Sequence, residues 1–155
     1  RYDVLGSTNT NDGDATATTA TNPVANTLMA ALPSDLRAVM QPMTIYTDNT
    51  GGGSDNASDV TKTTDYLPLL AEYEIFGTRA YANSAEKNYQ AQYAYYSAGN
   101  SKVKYRHSAT GSAAWWWERS PNYGDSGYFC IVYTNGNAGN DGARFSRGVA
   151  PAFRV

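Results

Sequence analysis

Hydrophobic and polar positions divide the chain into a polar start and a folded remainder. Residues 5–23 are small and polar and offer almost nothing to bury, so we predict that residues 1–23 form a flexible or loosely packed extension. Amphipathic spacing then predicts short helices over residues 24–31 and from Ser34 onward. The folded domain is therefore expected to span residues 24–155.

Tyrosine spacing predicts the longest helix. Tyr89, Tyr93 and Tyr96 recur at i, i+4 and i+7, and Ser84 can cap the first turn, which predicts a helix over residues 84–98. A stripe of this kind is typical of a core face. Residues 66–76 carry an apolar run that suits either a buried strand or a short helix, ended by Gly77.

In the second half the period changes to that of strands. Residues 102–107 and 128–134 alternate between polar and apolar types, which predicts short antiparallel strands. Residues 43–46 predict another strand, and residues 149–155 a last one with Pro151 at an edge or bend. Helices followed by short antiparallel strands predict an α+β fold.

Large apolar side chains supply the candidate core. Alternation in the strand over residues 128–134 places two sets of side chains on opposite faces. One set is Tyr128, Cys130 and Val132, and the other is Phe129, Ile131 and Tyr133, so that Ile131 and Tyr133 share a face and the role of Phe129 beside them stays open. The positions assigned to the core are Leu36, Val39, Met40, Trp115, Trp116 and Phe153.

Composition excludes several classes of function. The 155 residues carry a net charge of -2 with no basic run, so we expect no nucleic-acid partner. No apolar stretch approaches about 18 residues, so we expect no direct membrane insertion. A single Cys excludes an internal disulfide. Because the sequence opens at Arg1, we expect it to be a processed piece or part of a larger chain or assembly.

Candidate catalytic chemistry is sparse. His107 is the only histidine and has no neighbouring carboxylate, so we predict a structural or surface role. Cys130 lies in an apolar strand, which indicates a buried, inert thiol. Glu118 and Arg119 are predicted to form a partly buried ion pair, and a glycosidase-type carboxylate pair stays open as an alternative. We predict no catalytic residue and no cofactor.

The loop over residues 48–59 contains Asp48, Asp55 and Asp59, which could supply oxygen ligands to calcium. The spacing of an EF-hand is absent, so the pattern favours a solvated polar loop without a metal. Calcium stays open as the alternative.

The last 36 residues, from Ser120 onward, have a restricted repertoire. They contain no Lys, Glu, Gln, Met or Trp, although these types supply 17 of the preceding 119 residues, a rate that would give about five. Every type that does occur can be encoded by a codon ending in a pyrimidine, and Lys, Glu, Gln, Met and Trp cannot. A mutational process acting on the gene would leave this imprint.

Several segments resemble variable proteins of diversity-generating retroelements, in which template adenines are randomised during reverse transcription. The similarity is carried by WWWERSP at 115–121, YFCIVYTNGNA at 128–138 and GVAPAFRV at 148–155, and more weakly by LPSDLRAVM at 32–40 and YLPLLAEYEIFG at 66–77. This resemblance covers about residues 26–155. It implies a C-type lectin fold related to that of the formylglycine-generating enzyme, with short antiparallel strands and two or more helices. Relatives often carry Leu at the position of Glu118.

The resemblance also implies a variable region over residues 120–148, with variable side chains on one solvent-facing surface. Four of its glycines fit equally well as variable positions or as ordinary turn residues, namely Gly124, Gly127, Gly139 and Gly142. The candidate ligand-binding positions are Tyr123, Gly124, Asp125, Gly127, Tyr128, Ile131, Tyr133, Gly139, Asp141, Gly142, Arg144, Phe145 and Arg147.

These observations predict a non-enzymatic ligand-binding domain at a phage tail fibre tip or on a bacterial cell surface. Tyr and Arg content favours an exposed protein ligand over a sugar. One alternative is an enzyme of the formylglycine-generating type, which relies on copper-binding cysteines, whereas this chain has only Cys130. Another is a structural module of a virion or cell surface.

Overall fold

The computed structural model describes residues 32–155. The predicted extension over residues 1–23 and the predicted helix over residues 24–31 lie outside the described residues. The helices are α1 (Ser34–Val39), α2 (Glu72–Phe76) and α3 (Ala94–Ser97), with 3₁₀-helices at Ala57–Asp59 and Ser84–Asn88. The strands are β1 (Met43–Asp48), β2 (Val60–Asp65), β3 (Lys104–Arg106), β4 (Ala109–Ala114), β5 (Trp116–Pro121), β6 (Tyr128–Val132) and β7 (Ala138–Gly142).

The strands form three antiparallel sheets. β1 pairs with β2, β3 pairs with β4, and β5, β6 and β7 form a three-stranded sheet with β6 in the centre. Short helices and antiparallel sheets together confirm the predicted α+β class. The helix alternative for the apolar run is confirmed at α2, which ends at Gly77 in the left-handed conformation.

The three-stranded sheet is buried on both faces. Trp117 and Ile131 pair across β5 and β6 and pack in one apolar cluster with Leu69 and Phe129. The neighbouring pair, Trp116 and Val132, belongs to a second cluster with Ile75 and Tyr96. The predicted alternation along β6 is therefore confirmed, but neither face is open to solvent.

Three core assignments need correction. Trp116 is buried as expected, whereas Trp115 is only partly buried. Phe153 is 47% exposed, and Val39 is 52% exposed because α1 turns Leu36 and Met40 toward Leu67 instead. The assignment of Phe153 and Val39 to the core was wrong.

The predicted helix over residues 84–98 is wrong as well. A 3₁₀-helix ends at Asn88, and the backbone continues without helical hydrogen bonds to α3. The intervening residues bind other elements: Gln90 Nε2 donates to the Tyr46 carbonyl at 2.8 Å, and the Tyr93 N–H donates to the Glu74 carbonyl at 3.0 Å. These long-range bonds replace the helix. Tyr89 is accordingly exposed and stacks on Tyr46.

The last predicted strand is also wrong. Residues 149–155 make single antiparallel bridges, from Pro151 to Leu69 and from Arg154 to Gln41, without extending them into a ladder. Strands β2, β4 and β7 were not predicted, because their Thr, Gly, Ala and Asn residues lack apolar alternation.

A buried ion pair connects β5 to the first half of the fold. Arg119 and Glu74 form two hydrogen bonds at 2.9 and 3.1 Å. The guanidinium also donates to Thr47 Oγ1 at 2.6 Å and to the Leu69 carbonyl at 2.5 Å. Arg119 therefore links β5 to α2 across the fold, a pairing that the prediction of an ion pair with the adjacent Glu118 did not include.

Three more carboxyl groups are buried beside this ion pair. Glu72 accepts hydrogen bonds from the backbone N–H groups of residues 80–82, and Glu86 accepts from the Asp48 N–H and the Ser120 hydroxyl. Burial raises the pKa of Glu118 well above its usual value, and Glu72 and Glu86 raise it further. Glu118 is consequently favoured in its protonated form.

We expect Glu118→Gln to stabilise the protein increasingly as pH rises. A raised carboxyl pKa in the folded state means that protonation stabilises folding at acidic pH, and this contribution is lost as pH rises through the raised pKa. The variant should gain on the order of 1 kcal/mol in free energy of unfolding between about pH 5 and about pH 8.

Urea unfolding at both pH values measures this effect. The exposed variant Asp35→Asn serves as the control and should show a smaller change. Equal pH slopes for wild type and Glu118→Gln would contradict the assignment.

Candidate functional site

The turn between β5 and β6 presents two tyrosines. Tyr123 is 39% exposed and Tyr128 is 36% exposed. Two side-chain oxygens hold the turn: Asn122 Oδ1 accepts from the Gly124 N–H at 2.7 Å, and Asp125 Oδ1 accepts from the Gly127 N–H at 2.8 Å. Such Asx turns fix the backbone of a loop without covering its side chains.

Tyr123 is held in place by the middle of the chain. Its N–H donates to the Tyr81 carbonyl at 2.8 Å, and the Arg79 guanidinium lies 3.9 Å from the centre of its ring. Arg79 in turn forms an ion pair with Asp55 at 3.0 Å. The ring is therefore exposed but oriented. Arg79 was not predicted, because nothing in the sequence links it to a residue so far along the chain.

The segment after β7 presents Arg144 and Phe145. Phe145 is 41% exposed, its N–H donates to the Gly142 carbonyl at 3.0 Å, and Arg144 lies 4.7 Å from its ring centre. Arg147 is partly buried: it forms an ion pair with Asp141 at 2.5 Å and stacks 4.5 Å from the ring centre of Trp115.

The two segments form one surface. Tyr128 pairs with Gly142 across β6 and β7, the Ala143 N–H donates to the Gly127 carbonyl at 3.0 Å, and Phe145 covers Gly142. We call the exposed set the strand-end surface. It consists of Tyr123, Gly124, Asp125, Gly127, Tyr128, Arg144 and Phe145, with the partly buried Tyr133 and Arg147 elsewhere in the same region.

Four predicted surface positions are buried instead. Ile131 is fully buried between β5 and β7, because the sheet is covered on both faces. Asp141 is buried and paired with Arg147. Gly139 and Gly142 are strand residues covered by the rings of Tyr133 and Phe145. The expectation that these four are displayed to solvent was wrong.

The carboxylates of the acidic loop, residues 48–59, form hydrogen bonds and an ion pair with other residues of the protein. Asp48 accepts from the N–H groups of Thr50 and Gly51, Asp59 accepts from the Ser54 hydroxyl, and Asp55 pairs with Arg79. The three carboxylates thus bind separate partners. Nothing in this geometry favours the calcium alternative.

One buried cluster has ligand-type atoms close together. Oxygen or sulfur atoms of Glu72, Glu118 and Cys130 lie within 4.8 Å of one another. Burial raises the pKa of both Glu118 and Cys130, so both groups favour the protonated form, whereas metal ligands must be deprotonated. A metal ion would have to displace these protons to bind at this cluster.

The predictions for His107 and Cys130 agree with the structure. His107 is exposed in the turn between β3 and β4, and Cys130 is fully buried in β6. Among residues 32–155, no helix is long and apolar enough to cross a membrane.

These features describe an α+β domain with a rigid framework and an exposed aromatic and arginine surface. Residues 22–155 match the model of a family described as a domain of unknown function, DUF6273. Since the match covers most of the chain, the chain belongs to the DUF6273 family. No curated protein and no solved structure matches the sequence.

We expect Gly139→Ala to destabilise the fold, unlike Gly124→Ala. A Cβ atom at position 139 would lie 2.3 Å from the Tyr133 ring, which packs edge-on against Trp115. Moving that ring should cost about 1–2 kcal/mol in free energy of unfolding. At position 124 the nearest atom is an ordinary 3.5 Å away.

Urea unfolding of both variants checks the difference, with near-ultraviolet circular dichroism to report on the Trp115 and Tyr133 rings. Equal stabilities for the two variants would show that the Tyr133 ring moves at no cost and that position 139 is free to vary.

Proposed function

We propose that this chain is a non-enzymatic binding domain whose ligand-binding face is the strand-end surface. The observation that carries the proposal is that the exposed surface residues and the restricted residue repertoire occur in the same segment. The exposed aromatic and arginine residues Tyr123, Tyr128, Arg144 and Phe145 all fall within the segment from which Lys, Glu, Gln, Met and Trp are missing.

The chemistry of this surface suits protein recognition. Tyr and Phe supply large contact areas with few rotatable bonds, and Tyr and Arg are frequent hot-spot residues. Stacking of Arg79 on Tyr123 and of Arg144 on Phe145 restrains these rings before any ligand arrives. Restraint of this kind reduces the entropic cost of binding. An exposed protein is the ligand that we propose.

Diversification by a retroelement is part of the proposal, together with a C-type lectin-like architecture and display on a phage tail or a bacterial surface. Support comes from the resemblance of the tryptophan-rich segment and from the restricted residue repertoire. Short antiparallel sheets and helices are compatible with this architecture. A fully buried framework beside exposed turns is the arrangement that repeated surface variation requires.

The residues of this chain support the enzyme alternative less well than they support a binding domain. A thiol-based reaction needs an accessible thiolate, and burial raises the pKa of Cys130 well above its usual value. A structural module remains the second alternative, and a binding experiment separates it from the proposal.

A display library tests whether the strand-end surface accepts new specificities. Tyr123, Tyr128, Arg144 and Phe145 are randomised together on yeast and selected against a soluble protein such as lysozyme. We expect folded binders to emerge, because these side chains are exposed and the framework does not depend on them.

A second library randomises a control set of exposed residues outside the surface, three tyrosines and one arginine, namely Tyr89, Tyr95, Tyr105 and Arg37. After equal rounds we expect few or no binders from it. Equal yields from both libraries, or loss of folding in the first, would contradict the proposal.

A further inference from the structure

A concave region borders the strand-end surface. It is a cavity of about 540 Å³ between the β3–β4 hairpin and the segment after β7. Arg106, Trp115, Thr134, Ser146 and Arg147 contribute to its walls. Arg147 also lies 5.2 Å from the ring centre of Phe145, so the cavity is continuous with the exposed surface.

The wall that carries Ser146 and Arg147 is fixed by backbone pairing. The Gly148 N–H donates to the Trp115 carbonyl at 2.8 Å, and the Trp117 N–H donates to the Gly148 carbonyl at 2.9 Å. A Cβ atom at position 148 would lie only 3.1 Å from the Trp115 carbonyl oxygen, so a larger residue would require the two segments to move apart by a few tenths of an ångström. The cavity is therefore preformed rather than a gap between mobile loops.

The side chains that line the cavity carry more positive than negative charge. Arg147 Nε donates a hydrogen bond to the Asp141 carboxylate, and Nη1 donates one to the Ser146 carbonyl. The Trp115 ring stacks on the guanidinium. Within residues 32–155, no carboxylate forms an ion pair with Arg106. Two guanidinium groups with one neutralising carboxylate leave the cavity with an excess positive charge.

The walls define which anion fits. A guanidinium group binds a carboxylate through paired N–H donors, and the hydroxyls of Thr134 and Ser146 add further donors. The ring of Trp115 and the methyl groups of Ala113 and Ala114 offer an apolar lining for a short aliphatic stem. A carboxylate on a hydrocarbon stem satisfies both parts.

We propose that this cavity binds the carboxylate of an acidic side chain on the protein that the strand-end surface contacts. The inference rests on the proposed function and specifies the chemistry of the partner. Arg106 and Arg147 act as the anion-binding pair, and Trp115 holds Arg147 in place.

A nuclear magnetic resonance titration tests the pocket without the natural ligand. The probe is N-acetylglutamate N-methylamide, with the neutral glutamine analogue, inorganic phosphate and glucuronate as comparison compounds. We expect the glutamate probe to shift the Trp115 indole N–H and the amides of residues 146–148 in a saturable way. The glutamine analogue should leave them unchanged, and added salt should weaken the effect.

The variant Arg106→Gln should weaken binding of the glutamate probe about tenfold, through loss of a charge-assisted contact. Arg106 is exposed, so the variant should fold, and Arg106→Lys tests whether charge alone suffices. Arg37→Gln, also at an exposed arginine, is the matched control and should bind like wild type.

Absence of saturable shifts would overturn the proposal that the cavity binds a carboxylate. The proposed function would then still be tested by the library experiment. Stronger binding of phosphate or glucuronate than of the glutamate probe would overturn the choice of an acidic side chain. Equal weakening by Arg106→Gln and Arg37→Gln would overturn the role of Arg106.

Discussion

The buried ion pair between Arg119 and Glu74 is the contact on which the rest of the fold depends. Through one guanidinium, β5 is joined to α2, to β1 at Thr47 and to the Leu69 carbonyl. Losing either partner would leave a buried charge without compensation, which typically costs about 3–5 kcal/mol. β5 is thereby fixed, β6 pairs with β5, and β7 pairs with β6.

Fixing β5 in the middle of the fold has a consequence for function. With apolar clusters on both sides of the three-stranded sheet, the sheet has no free face to offer a ligand. Within residues 120–148, the exposed aromatic and arginine side chains lie in the turn before β6, at the first residue of β6 and in the segment after β7. Because Asx turns and the pairing of Gly148 hold these two segments, the exposed rings sit on a rigid base.

Local signals in the sequence predicted the strands with apolar alternation and gave the helix ended by Gly77 as one of two alternatives for that segment. They failed where distant partners decide the structure. Gln90 and Tyr93 bind β1 and α2 instead of continuing a helix, and Arg119 pairs with Glu74, which lies 45 positions away in the sequence. In the candidate site the exposed aromatic residues were among the positions that the resemblance implied, whereas the burial of Ile131 depends on a second layer that no local pattern reveals.

The DNA beside the gene tests most directly whether variation is confined to the strand-end surface. We predict a near-copy of the segment encoding residues 120–148 next to a reverse transcriptase gene. Its mismatches should fall at template adenines in the codons of exposed residues such as Tyr123, Tyr128 and Phe145, while the codons of the buried Ile131 and Asp141 match. Mismatches at all four bases, or mismatches concentrated in the codons of buried residues, would contradict the proposal that adenine-directed variation is confined to the strand-end surface.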